Sequence, residues 1–223
     1  MIQRELLGTA QVPGGVELRL FRHDRDFMIV TGGNELMSTR MNGSEIALAV
    51  ESCKRIAGRK RPRLLVGGYG MGFTLRAALA ELPADAEIVI AELVPEIIEW
   101  ARGPMAEVAA DCLDDPRVRL IIGDVTNRIE LPDSGYDAIL LDVDNGPEGL
   151  TAATNRGLYS KHGLRAARAA LRPGGVLAVW SAFKDDAFVR RLKLNGFAVE
   201  EMTVRARTNG KGPRHVIWFA TPV

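Results

Sequence analysis

The sequence predicts an α/β fold in which a doubly wound, mostly parallel seven-stranded sheet with an antiparallel last strand follows a small N-terminal antiparallel β segment. Three observations predict it. From residue 63 onward, apolar β-type runs alternate with helix-period segments, the pattern of parallel strands joined by helical crossovers. The central runs, such as RLLVG (63–67) and DAILLDV (137–143), are almost purely apolar, as strands covered on both faces must be. The last two runs are joined by RARTNGKGP, without a helical period, which suits an antiparallel pair.

In chain order, VELRLFRHD (16–24) alternates apolar and polar residues, DFMIVTGG (26–33) follows, and NELMSTR (34–40) resumes after a Gly-Gly-Asn turn. These read as hairpins too small to stand alone. Phe21, Phe27 and Met28 within them are open either to an interface or to packing. SEIALAVESCKRIAG (44–58) has helical spacing, with Ser44 as N-cap and Gly58 at the stop. The strands that follow are 63–67, EIVIAEL (87–93), VRLIIGD (118–124), 137–143, GVLAVWS (175–181), FAVEEMTV (197–204) and RHVIWFA (214–220). Helices are expected over 73–81, 95–110, 160–171 and 185–194, with a short turn near 125–130. Residues 1–43 are thus expected to form one unit and residues 44–223 a Rossmann-like one.

Composition narrows the function classes. The 223 residues carry a net charge of +1, which offers no electrostatic case for nucleic acid or an anionic membrane. The basic run GRKRPR (58–63) abuts a strand start and reads as a solvated loop. Two cysteines and three scattered histidines supply neither a disulfide framework nor metal-ligand spacing, so no metal is expected. No apolar stretch reaches 18 residues, so the expectation is a cytoplasmic protein.

The strand ends carry the chemistry. In an open α/β sheet, ligands lie outside the carboxyl ends of the strands, where strand order reverses. The first parallel strand runs into GGYGMG, with Gly68, Gly70 and Gly72. No Lys-Ser or Lys-Thr pair follows, so this is no P-loop, and the glycine spacing is not that of a dinucleotide fingerprint. Bare backbone at a helix start favours an electronegative ligand group, although tight strand-to-helix packing also explains it. Glu92 ends the second strand as the one charged residue of VIAELVP, able to accept ribose hydroxyls. Asp124, followed by Val125, ends the third, suited to an adenine amino group. Asp142 ends the fourth, with Asp144 and Glu148 close behind in DVDNGPEG. Such acids hold an ammonium, or take the proton of an attacking amine; Asp, Asn, Gly and Pro are also turn formers. Glycines and two acids together suit a nucleoside with a short aliphatic tail, an S-adenosyl-type ligand.

The glycine loop before TLR, the strand-end glutamate, DPRVRLIIGD, YDAILLD with Gly-Pro, and LYS…LRPGGVLAV occur in order from about residue 63 to 181. Together they resemble the spermidine synthase family of aminopropyltransferases. LRPGGVL and YDAILLD alone are shared with class I methyltransferases. The resemblance implies a homodimer with a small β-domain on a Rossmann-like catalytic domain. It also implies aminopropyl transfer from decarboxylated S-adenosylmethionine to a polyamine amine, a small-molecule acceptor. By motif, Gly68, Gly70, Gly72, Glu92, Asp124 and Val125 would hold the donor, and Asp142 would take the proton. Asp144, Asn145, Glu45 and Tyr159 would face the acceptor. Where the family's glycine loop has an aspartate that contacts the donor amine, this sequence has Met71; of its Tyr-His-Glu, MNGSE keeps Glu45. Methyl transfer from S-adenosylmethionine, or nucleoside binding without turnover, are the alternatives the same pocket allows.

Overall fold

The computed structural model describes residues 4–143 and 155–223. The N-terminal alternation gives an antiparallel sheet in the order β1 (Glu5–Gln11), β2 (Glu17–His23), β3 (Asp26–Thr31), β4 (Asn34–Ser38). β1 lies outside the strands expected from the sequence. ELLGTAQ lacks alternation because it is an edge strand with a register break between Leu6 and Gly8. Gly8 lets it lie against an indole: a Cβ there would meet Trp100 Nε1 at 2.6 Å. Phe27 and Met28 are buried, so packing, not an exposed interface, is their place.

Next come α1 (Gly43–Arg55), β5 (Arg63–Gly67), α2 (Phe73–Glu81), β6 (Glu87–Glu92), α3 (Pro95–Arg102), α4 (Ala106–Ala109), β7 (Val118–Ile122), α5 (Val125–Glu130) and β8 (Tyr136–Leu141). The chain continues through α6 (Asn155–Leu158), α7 (Lys161–Ala170), β9 (Leu171–Ser181), α8 (Asp186–Leu194), β10 (Phe197–Arg205) and β11 (Arg214–Pro222). The sheet order is β10-β11-β9-β8-β5-β6-β7. β11 runs antiparallel to both β9 and β10. The reversed last strand is therefore inserted one place in from the edge.

Three local differences have physical causes. The helix expected over 95–110 is two helices, because Gly103-Pro104 interrupts it. β9 starts at Leu171, ahead of the expected 175, through a break between the Tyr136↔Leu171 and Ala138↔Val176 pairs. Helix α1 begins at Gly43 behind Asn42, and Ser44 sits fully buried inside its first turn. Its hydroxyl is committed elsewhere, as described below, and caps nothing.

One continuous apolar core joins β1–β3 to α1, α2, α3 and one face of the large sheet, through Leu20, Ile29, Leu48, Leu64, Ile90 and Trp100. A second fills the other face beneath α5, α7 and α8. The chain winds outward from β5 to β7 and then returns to β8 beside β5. The point where strand order reverses therefore lies between β5 and β8, with the small sheet packed near it.

Candidate functional site

At that point a cavity opens whose empty space, its mouth included, is about 1000 Å³. This is the scale of a small-molecule site. Gly70, Glu92, Asp124 and Asp142 all line it, with Gly68, Val125 and Glu45. Four elements thus bring to one place the acids that the sequence separates by up to 97 positions (Glu45 to Asp142).

The glycine loop is built by close approach. The Asp142 N–H donates to the Gly67 carbonyl at 3.1 Å, and the Gly68 N–H to the Ala91 carbonyl at 2.9 Å. Gly68 has φ +81°, and a Cβ there would lie 2.8 Å from the Asp142 carbonyl oxygen. A side chain at 68 would push the end of β8 away, so this glycine keeps β5 and β8 in register at the cavity. At Gly70 a Cβ would meet Met37 Cε at 2.7 Å: strand β4 lays its methionine on the loop. Gly72 is not among the lining residues. It starts α2 with φ +76°, so its part is in the turn. Met71 is buried in the core and does not line the cavity either.

Each acid has a defined environment. Glu92 is 6% exposed; the Tyr69 N–H donates to its Oε2 at 2.8 Å and the Val94 N–H to its Oε1 at 2.9 Å. Burial pushes its carboxyl above the usual carboxylate range, and backbone N–H groups around it oppose that shift. Asp124 caps α5, its Oδ1 accepting the Thr126 N–H at 2.8 Å, which leaves Oδ2 for a ligand. Asp142 accepts the Thr74 hydroxyl on Oδ2 at 2.6 Å. Burial raises its carboxyl to about 6 while that hydroxyl opposes it.

Glu45 and Asp142 act on each other. Glu45 is 6% exposed; burial first, then the charge of Asp142, push it up to about 8, against the hydrogen bond from Ser44. A carboxyl whose folded-state value lies above the unfolded 4.5 contributes stability below that pH, and loses it as pH rises through the folded-state value. The Tm of the protein should therefore fall between pH 5 and pH 8.5, and Glu45→Gln should flatten that fall. At pH 8.5 the variant should melt higher than the wild type, by about 2–4 °C for each kcal/mol of charge burial removed. Thermal melts across that range check it; a variant curve parallel to the wild type would remove the coupling.

Tyr159 is not at the cavity. It is buried on the other face of the sheet, edge-on to Phe188 with ring centroids 5.6 Å apart. Asp144, Asn145 and Glu148 lie outside the described residues. Several site residues escape the sequence analysis: Thr74, which holds Asp142; Trp180; and an apolar wall of Val12, Leu18, Ile29, Leu36 and Met37 from the N-terminal segment. The TLR beside the glycine loop was the available signal for Thr74; for the wall there was only strand alternation. Among the described residues no His, Cys, Asp and Glu side chains group as a metal site, and no helix is long and apolar enough to cross a membrane.

The sheet order, the glycine loop after β5 and the strand-end acids define a Rossmann-like protein of the methyltransferase architecture. More narrowly, the chain belongs to the spermine/spermidine synthase domain family, whose model matches residues 21–191. The polyamine aminopropyltransferase of Mycobacterium tuberculosis (strain H37Rv) is 37% identical over 119 residues, 52% of this chain and 22% of that protein. Putrescine N-methyltransferase 4 of Nicotiana tabacum is 29% identical over 163 residues, 72% of this chain and 38% of that protein. Both matches span less than half of the relative's own length. The crystal structure of spermidine synthase from Thermotoga maritima superposes with a TM-score of 0.77 at 18% identity, over 97% of this chain and 72% of that chain. That is a likeness of fold.

Proposed function

We propose that the protein transfers an aminopropyl group from decarboxylated S-adenosylmethionine to the amine of a small polyamine. One observation carries this choice of donor: the described lining holds four acidic side chains, Glu45, Glu92, Asp124 and Asp142, and no Lys, Arg or His. A donor with its carboxylate would bring an anion into that field with no cation to receive it. A decarboxylated donor, with a sulfonium and an ammonium, and an amine acceptor both suit the field. Family membership supports the same chemistry.

In this reading Gly68 and Gly70 admit the donor to the backbone, and Glu92 accepts ribose hydroxyls on the lone pairs its two backbone bonds leave free. Asp124 receives the adenine amino group, and Val125 flanks the ring. The N-terminal β segment (to residue 43) closes the cavity over the unit from 44 onward. The acceptor nitrogen attacks the carbon next to the sulfonium in line; the N–C bond forms as the C–S bond breaks, and methylthioadenosine leaves. An amine attacks only when neutral, so one proton per turnover goes to Asp142, whose Oδ2 is held by Thr74 and whose Oδ1 has no hydrogen-bond partner among the described residues. The bound geometry supplies the remaining acceleration.

A second reading, methyl transfer from S-adenosylmethionine to the same kind of acceptor, is favoured by Met71 in place of an acid and by the tobacco N-methyltransferase. The two differ in by-product. Purified protein given a diamine and each donor in turn should release methylthioadenosine from the decarboxylated donor. S-adenosylhomocysteine from the other donor would establish methyl transfer instead, and nucleoside binding with neither by-product would make the protein a non-catalytic relative.

A further inference from the structure

We propose that Ser44 and His215 form the proton exit of the acidic pair in this cavity, an inference that rests on amine chemistry at Asp142. The geometry is a chain of hydrogen bonds. The Ser44 hydroxyl lies 2.6 Å from Glu45 Oε2 and 2.8 Å from His215 Nδ1. Ser44 is fully buried, while His215 on β11 is partly exposed. The chain thus leads from a nearly buried carboxyl to a ring with solvent beside it. Two packing features hold it. Gly43 lets the start of α1 press on the loop after β10: its N–H donates to the Ala206 carbonyl at 2.7 Å, and a Cβ there would sit 2.8 Å from the Arg207 carbonyl carbon. Trp180, which lines the cavity, holds the imidazole edge-on with centroids 4.8 Å apart.

A serine hydroxyl has one proton to give, so the chain has two settings. With Glu45 ionised, Ser44 donates to Glu45 and the His215 Nδ1–H donates to Ser44. With Glu45 protonated, its O–H donates to Ser44, Ser44 donates to Nδ1, and the ring proton sits on Nε2. Passing from the second setting to the first moves the Glu45 proton to Ser44 and the Ser44 proton to Nδ1, and releases the Nε2 proton to solvent. One proton leaves and no charge is stranded.

The pair supplies the drive. Among the described residues, Asp142 is the charged side chain whose field acts on Glu45, and burial alone depresses His215. On β11, Arg214 beside it is exposed and alternates to the other face. When Asp142 takes the amine proton, its repulsion of the Glu45 charge ends, and Glu45 yields its own proton to the chain. The proton left on Asp142 then passes within the pair to Glu45, the more basic of the two, so Asp142 is ionised again and a turnover that puts one proton in also puts one out.

The test is imidazole ¹⁵N NMR of the full chain from pH 6 to 9.5, with His215 assigned by His215→Phe. The His215 ring proton should move from Nε2 to Nδ1 over the range in which Glu45 ionises, and Ser44→Ala should abolish that movement. A tautomer that stays fixed in the wild type overturns the proposal. Under turnover, Ser44→Ala and His215→Phe should each lower kcat about tenfold, with the donor KM and the methylthioadenosine affinity within threefold of the wild type. Phenylalanine keeps the edge-on packing against Trp180, so a His215→Phe enzyme as fast as the wild type would reduce His215 to packing and overturn the proposal as well. Absence of turnover in the wild type with the tautomer movement intact would count against the proposed function and leave the proton link supported.

Discussion

Asp142→Asn should lower kcat by about 10² to 10⁴, the range a positioned general base contributes, while methylthioadenosine affinity stays within a few-fold. Asparagine suits the test because its carbonyl oxygen still accepts the Thr74 hydroxyl that Asp142 accepts at 2.6 Å. The Asp142 N–H bond to Gly67 belongs to the backbone and survives. Alanine would instead leave the buried Thr74 hydroxyl without that acceptor and mix a folding defect into the rate. The sign of the pH dependence follows from the raised carboxyl. Burial lifts Asp142 to about 6, so wild-type kcat/KM should rise with pH through that value as the base ionises, and Asp142→Asn should lack that limb. The variant also removes the charge that helps to raise Glu45, so Glu45 should titrate lower in it. Steady-state kinetics with calorimetry of methylthioadenosine checks the rate, the pH limb and the affinity. A variant that keeps wild-type kcat would take the proton acceptor away from Asp142, and one that loses the nucleoside would make Asp142 part of the donor site.

The parallel strands from β5 to β9 are legible because each carries an apolar run bounded by a change of period, and parallel order then places their carboxyl ends together. Glu92, Asp124 and Asp142 are found by that rule alone: each is the charged residue that closes such a run. β1 is illegible for the opposite reason, since Gly8 answers to Trp100, 92 positions away, and leaves no local alternation. Ser44 looks like a cap because caps follow a local rule; its partner His215 is 171 residues distant. Thr74 is likewise read as helix start, while its hydroxyl reaches 68 positions along the chain to Asp142. The cap that does form at α5 obeys the local rule, Asp124 accepting the Thr126 N–H. Tyr159 shows the limit of motif transfer: its place in the LYS motif implies an acceptor contact by resemblance, but the ring faces Phe188 in the core. Side chains whose partners lie on the next turn can be read in one dimension, and those whose partners arrive by folding cannot.

Glu92→Ala should cost both stability and affinity, because the carboxylate organises the site before any ligand arrives. Its two oxygens accept the N–H groups of Tyr69, in the glycine loop, and of Val94, just ahead of α3. One side chain thus ties the loop after β5 to the loop after β6. Removing it leaves two backbone donors unpaired in a buried setting, at about 1–3 kcal/mol each; loss of the buried charge returns part of that, since burial disfavours the ionised form here. The ligand-free protein should therefore melt several degrees lower, at about 2–4 °C per kcal/mol for a chain of this length. Glu92→Gln should fall between wild type and alanine, because its carbonyl oxygen accepts one N–H while its amide group opposes the other. Methylthioadenosine affinity should follow the same rank, and kcat at saturating donor should change less than kcat/KM, since contacts to a ribose are alike in ground and transition states. The decisive comparison is the ligand-free melt. If Glu92→Ala lowers affinity without lowering that melt, the carboxylate serves the nucleoside alone, and the glycine loop keeps its shape without it.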